Sequence, residues 1–180
     1  MRSTKSVAVC MALFLSLTGC AIAPANETLV HSLRQRYPLS RIEVQNAAVQ
    51  GTVAMRGARL RLEGDNVPAK PFHVTQLNTK SPRFHARDYA RVGIASGQLV
   101  TLEPGELNLR RGTEVVVLEI EVKAGTVRLF THTSQPVGGS GGRGAYGCTE
   151  FVFRFDPVPS APTDAARVQQ TIERWLSFTS

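Results

Sequence analysis

Few side chains in this 180-residue chain have the types and spacing that catalysis or metal binding requires. The four histidines are His31, His73, His85 and His132. None of them lies in a pattern such as H-E-x-x-H, and none has Cys or carboxylate partners at zinc-ligand spacing. Cys148 has the residue type to complete a nucleophilic set with His85 and Asp88, but nothing in the sequence brings the three together. We therefore expect a non-enzymatic protein without metal or cofactor, and a small hydrolase stays as an alternative.

A glycine-rich segment, GGSGGRGAYGC at residues 138–148, contains a possible phosphate-binding motif. Gly139, Gly141 and Gly144 match G-x-G-x-x-G, which binds a dinucleotide only between a strand and a helix. Here a strand pattern follows, and the G-K-[ST] of a P-loop is missing. The segment is therefore predicted to connect two strands, with Arg143 as a candidate contact for an anionic partner.

The chain is basic, with Lys+Arg 21 against Asp+Glu 14 and a formal net charge of +7. The candidate residues for binding an anion or a partner are Arg59, Arg61, Arg83, Arg87, Arg91 and Arg143. The first two alternate with leucines in a strand pattern, and the next three share one face if the ambiguous segment from Ser81 is helical. The planar guanidinium fork suits carboxylate and phosphate groups. The alternative is that these arginines are scattered and paired with Glu or Asp.

The amino terminus has the layout of a bacterial export signal. Arg2 and Lys5 precede an apolar run, residues 7–17, which at about 1.5 Å per residue spans roughly half of a bilayer core. That length is typical of a signal-peptide core rather than of a membrane-spanning helix. The run ends in Leu-Thr-Gly-Cys, residues 17–20, which resembles the lipobox of bacterial lipoproteins.

This resemblance implies a lipid anchor. In the family the cysteine of the box takes a diacylglyceryl group, so Cys20 would be lipidated after cleavage behind Gly19. Two acyl chains suffice for stable membrane anchoring. Ala21 stands where family members retained at the inner membrane often have Asp, which favours the outer membrane, facing the periplasm.

We accordingly divide the chain into a signal peptide (residues 1–19), a lipidated tether (20–26) and a single β-rich periplasmic domain (27–180). The available partners are the membrane, an anionic envelope component or another envelope protein, and we expect no nucleic acid. The predicted function is a membrane-anchored lipoprotein with a binding or scaffolding role in the cell envelope. The alternatives are a carrier of an apolar or lipid ligand and an accessory subunit of an assembly or secretion complex that uses a strand edge.

Hydropathy patterns predict a helix at each end of this domain. Asn26 is a candidate N-cap, the apolar face consists of Leu29, Val30, Leu33 and Tyr37, and Pro38 ends the helix. The second helix is predicted to begin behind Thr163. Its apolar stripe consists of Val168, Ile172, Trp175 and Leu176.

Between the helices the pattern repeats every two residues, as in strands. The clearest unit is a hairpin of residues 113–122 and 126–133. Its first strand is predicted to place on one side Val116, Leu118, Ile120 and Val122. A later strand alternates Phe151, Phe153 and Phe155 with other residues. The predicted fold class is α+β, mainly antiparallel β: one sheet or small barrel of about 6–8 strands flanked by an N-terminal and a C-terminal helix.

Overall fold

The computed structural model describes residues 24–43, 52–54, 57–72, 89–123, 125–137, 145–157, 159 and 164–179. The helices are α1 (Pro24–Arg36) and α2 (Ala165–Glu173). The strands are β1 (Arg41–Glu43), β2 (Thr52–Ala54), β3 (Arg59–Leu62), β4 (Val67–Phe72), β5 (Ala90–Ala95), β6 (Gln98–Glu103), β7 (Leu107–Leu109), β8 (Glu114–Lys123), β9 (Thr126–Thr133), β10 (Tyr146–Arg154) and β11 (Leu176–Phe178).

The main sheet curls into a half-barrel with the strand order β11-β3-β8-β9-β10-β4-β7. The far edge of β10 is shared by two strands. Its first residues pair with β4 in antiparallel fashion, and its later residues pair with β5 in parallel. Strand β6 pairs with β5, and β1 and β2 form a separate antiparallel pair. The predicted fold class, a mainly antiparallel sheet flanked by two terminal helices, is confirmed.

The predicted central hairpin is present as β8 and β9, but its apolar face is not the one that simple alternation indicates. Val117 pairs with Thr131 and Glu119 pairs with Phe130, so Leu118 is an extra residue in a β-bulge. The bulge moves the core-facing positions by one residue. The core therefore contains Val115 and Val117 before the bulge and Ile120 and Val122 after it, and the prediction was wrong for the first half of the strand.

Helix α1 packs the predicted face against the sheet. Leu29, Leu33 and Tyr37 are fully buried in the core, and the Tyr37 ring stacks on Phe178 of β11 at 5.6 Å. The helix begins at Pro24 rather than behind the predicted N-cap Asn26. A proline fits this first turn because it has no N–H to satisfy there.

Helix α2 is shorter than the periodicity predicts. Asp164, not Thr163, takes the N-cap position, and the helix ends at Glu173. Leu176 lies in β11 and pairs with Leu62, so the end of the predicted stripe belongs to a strand at the edge of the sheet. Both conformations bury Leu176, and hydropathy alone does not distinguish them. Neither α1 nor α2 combines the length and the apolar composition that crossing a bilayer requires.

Candidate functional site

The outer face of the sheet is the face turned away from α1 and α2. It carries a network of ion pairs and a cysteine–histidine contact. It carries Arg91, Arg128, Phe130, His132, Cys148 and Glu150. These residues alternate with core residues along β5, β9 and β10, because successive side chains of a strand point to opposite faces. The face is thus assembled from segments far apart in the sequence.

Glu150 lies at the centre of this face and is completely buried although it is an acid. Arg91 Nε donates a hydrogen bond to Glu150 Oε2 at 2.8 Å, and Arg128 Nε donates to Oε1. Burial opposes the charge on Arg128, but the hydrogen bond and the charge of Glu150 outweigh it and raise the pKa of the guanidinium above its ordinary value. Each carboxylate oxygen therefore has a cationic partner, as a buried charge requires.

The ion pairs continue on both sides of Glu150. Arg128 Nη1 lies 3.0 Å from Glu121 Oε2, and Arg91 Nη2 lies 3.8 Å from Glu103 Oε2. Lys70 Nζ donates to Glu103, and this hydrogen bond is the main reason why the pKa of that carboxyl lies below its usual range. Arg91, Arg128 and Lys70 are therefore each matched by carboxylates of the same chain.

Of the predicted arginines that the structure describes, Arg59 and Arg61 share the exposed face of β3, and Arg91 lies apart from them. Arg91 lies in strand β5, so the helix predicted from Ser81 does not extend to it. Arg59 and the exposed Arg61 lie on β3, which β8, β9 and β10 separate from β5, and Arg59 Nη1 lies 3.6 Å from Glu114. The remaining predicted site residues lie outside the described residues: Cys20, Arg83, Arg87 and Arg143. Arg59 and Arg91 thus follow the stated alternative of pairing with carboxylates.

Cys148 has a histidine partner that the sequence did not indicate. Its Sγ lies 3.3 Å from His132 Nε2, and the Tyr89 hydroxyl lies 3.0 Å from the same nitrogen. His85 and Asp88, considered as partners on the sequence, lie outside the described residues. The pairing arises because Cys148 is directly opposite His132 in the β9–β10 ladder.

This Cys–His pair has the surroundings of a structural contact. Cys148 and His132 are both almost completely buried, and Phe130 packs edge-on against Tyr89 at 5.2 Å beside them. Burial lowers the pKa of His132 to about 3, so the imidazole is neutral at physiological pH. A neutral imidazole does not stabilise a thiolate as an imidazolium would, and the thiolate is the nucleophilic form of cysteine. Within the described residues, no group of three or more His, Cys, Asp or Glu side chains is arranged to hold a metal ion.

The glycine-rich segment connects two strands of the sheet. Strand β9 precedes it and β10 follows it, and Val137 N–H donates to Ala145 O at 2.9 Å across its base. Residues 138–142 also spell G-x-S-x-G, the motif of a nucleophile elbow, which requires a helix directly after it. Only residues 143 and 144 lie between this motif and Ala145, where the strand pairing begins again. The order of elements is therefore strand, connection, strand, whereas an elbow or a dinucleotide loop requires a helix after the motif.

Within the described ranges, the β5–β6 hairpin leaves one main-chain edge without a neighbouring strand, beside the outer face. Ser96 and Gly97, with φ of 52° and 73°, form its two-residue turn in the conformation that matches strand twist. In the described part of the chain β6 pairs only with β5. Val100 is 52% exposed and Leu102 is 43% exposed, which are the largest values among the large apolar side chains described. We call the unpaired side of Gln98–Glu103 the open edge.

The chain matches no protein-family model, no curated protein and no solved structure. The class that fold and site define is a curled, mainly antiparallel β domain in which Arg59, Arg91 and Arg128 pair with carboxylates, the thiol of Cys148 is buried, and Val100 and Leu102 are exposed at the open edge.

Proposed function

We propose that this protein is a lipid-anchored envelope protein with a non-enzymatic role, and that it binds another protein chain through the open edge. The observation that carries the binding role is the distribution of side chains. The reactive groups Cys148 and His132 are buried, whereas Val100 and Leu102 are exposed on a strand that has one unpaired edge among the strands described. Extended segments bind such edges by adding a strand to the sheet.

The alternative functions receive less support from the described residues. A carrier needs an open cavity between the sheet and the C-terminal helix, but Val168 and Ile172 of α2 are fully buried against the core of the sheet. A hydrolase needs an accessible nucleophile, whereas the thiol of Cys148 is buried beside a neutral imidazole. The lipobox resemblance at residues 17–20 supports a lipid anchor, and Ala21 behind it favours the outer membrane, facing the periplasm.

The anchor is tested by growing cells that express the full chain with a labelled fatty acid. We expect the label in the native chain and in Cys10→Ala, which removes a thiol within the signal core, and none in Cys20→Ala. The reason is that the diacylglyceryl group is attached to the cysteine of the lipobox. Label retained by Cys20→Ala would refute lipidation at this residue. Mass spectrometry of the amino-terminal peptides of the native chain and the two variants identifies the residue that carries the lipid.

Binding through the open edge is tested with a photo-reactive amino acid in place of Val100, in the full chain within the cell envelope. We expect a discrete crosslinked protein adduct at this position, because Val100 is exposed to solvent beside the open edge. The matched control replaces Val137, which is 42% exposed but lies outside β6. An adduct of equal yield at both positions, or none at Val100, would contradict the proposed binding role of the edge.

A further inference from the structure

We propose that the occupant of the open edge is a second copy of this chain, paired antiparallel to β6 about a two-fold axis at Val100. The inference rests on the proposed binding role, and it specifies the partner and the register. The supporting observation is that the strand Gln98–Glu103 is complementary to a second copy of itself. Its main-chain groups, its side chains and its charges are all compatible with antiparallel pairing of two copies.

The main-chain groups have the required directions. The two-residue turn makes Ala95 and Gln98 a hydrogen-bonded pair, and the ladder then alternates, so Val100 exchanges hydrogen bonds with Gly93. The N–H and C=O groups of Leu99 and Thr101 therefore point away from β5. In the proposed register Leu99 faces Thr101 of the partner subunit, and the reverse pair follows by symmetry, so all these groups find partners.

The side chains match in the same register. Val100 lies directly opposite Val100 of the partner subunit, and apolar side chains in such pairs are in contact. Leu102 is the extra residue of a bulge and packs over Gly93 on the same face. It falls opposite Gln98 of the partner subunit, so a leucine flanks the central Val100 pair on each side of the axis. The two most exposed large apolar residues of the described chain are thereby covered together.

Charge also permits this pairing. The single charged residue of β6, Glu103, forms ion pairs with Lys70 and Arg91 within its own chain, and it falls opposite Gly97 of the partner subunit. Like charges therefore do not face each other across the axis. The strand has neither lysine nor proline, the residues that commonly protect an edge from pairing. The edge strands β7 and β11 have only three residues each, which leaves β6 as the longest edge described.

A second copy fits this edge better than an unrelated peptide because it supplies an apolar residue opposite Val100 and uncharged residues opposite Leu99 and Thr101. Copies anchored in one membrane would also meet at raised effective concentration. An unrelated peptide would need the same pattern by coincidence. The experiments below separate the two occupants.

The register is tested with Val100→Cys in the full chain under oxidising conditions. We expect a disulfide-linked dimer, because this pair is the closely spaced type in an antiparallel ladder. Cys148 is buried and does not compete for the linkage. The matched control is Gln98→Cys, whose two copies would be about 13 Å apart along the strands, too far for a disulfide. Absence of the Val100→Cys dimer, or equal linkage in the control, would overturn the register.

The partner is tested by measuring the mass of the purified full chain in detergent. We expect a dimer that Val100→Lys weakens roughly tenfold or more, because two like charges then meet on the axis. Val137→Lys should leave the dimer intact, and circular dichroism checks that both variants fold. A monomeric native chain whose Val100 photo-adduct contains a different protein would overturn the second copy while the proposed function stands. A monomeric chain without any adduct would overturn both.

Discussion

Glu150→Ala is expected to lower the free energy of unfolding by about 3 kcal/mol, the lower end of the range for breaking a buried ion pair. The substitution removes the buried carboxylate between Arg91 and Arg128, which then keep only their more exposed partners Glu103 and Glu121. The lower end applies because these arginine side chains are 32% and 23% exposed and keep partial access to water. Urea unfolding at neutral pH measures the change.

The control for this prediction is Glu121→Ala. Glu121 also pairs with Arg128, but its side chain is 26% exposed, and such pairs contribute about 1 kcal/mol or less. Glu150→Gln keeps the shape and removes the charge, so it should resemble Glu150→Ala rather than the native chain. A loss below about 0.5 kcal/mol in both Glu150 variants would show that the buried carboxylate does not stabilise the sheet.

Acidification from pH 7.5 to 4.5 is expected to destabilise the fold through His132. Its folded-state pKa is lowered to about 3 by burial, whereas the unfolded chain has the ordinary value of 6.5. The unfolded state therefore binds the proton first as pH falls. The contribution of the neutral imidazole is complete above pH 6.5 and is lost progressively between pH 6.5 and about 3. The cost approaches roughly 1.4 kcal/mol per pH unit, which amounts to about 2–3 kcal/mol at pH 4.5.

The measurement is the urea midpoint of the native chain and of His132→Gln across this pH range. The variant has no proton to gain, so its stability should fall less between pH 6.5 and 5, although its stability at pH 7.5 is also reduced by the lost contacts to Tyr89 and Cys148. His31→Gln is the matched control, because it makes the same substitution at an exposed histidine of α1. An unchanged pH slope in His132→Gln would contradict a neutral buried imidazole.

Much of the fold could be predicted from the sequence, because helices and strands are encoded in local periodicity. The apolar face of α1, the β8–β9 hairpin and the alternation of Phe151 and Phe153 were all predicted, as was the fold class. Periodicity failed where one residue changed the phase, as at Leu118, and where two conformations bury the same side chain, as at Leu176.

Little of the candidate site could be predicted, because it depends on strand pairing between distant segments. Arg91 and Glu150 are 59 residues apart in the sequence, and they meet only because β5 pairs in parallel with β10. His132 and Cys148 meet because they are paired across the β9–β10 ladder. The sequence of the long glycine-rich connection does not indicate the register of that ladder. An acid at position 150, within an apolar strand, was the one signal that could have indicated a buried ion pair.

The sequence by itself determined α1, the β8–β9 hairpin and the alternation of Phe151 and Phe153, and it carries the lipobox pattern on which the expected address depends. The tertiary structure alone decided that Arg59 and Arg91 pair with carboxylates, that the thiol of Cys148 is buried beside His132, and that β6 pairs only with β5 among the described strands. The physical reason is that the hydropathy period of a segment depends only on residues near each other in the sequence. The partners of a side chain depend on strand order and register, and a register shift of one residue moves every side chain of a strand to the other face.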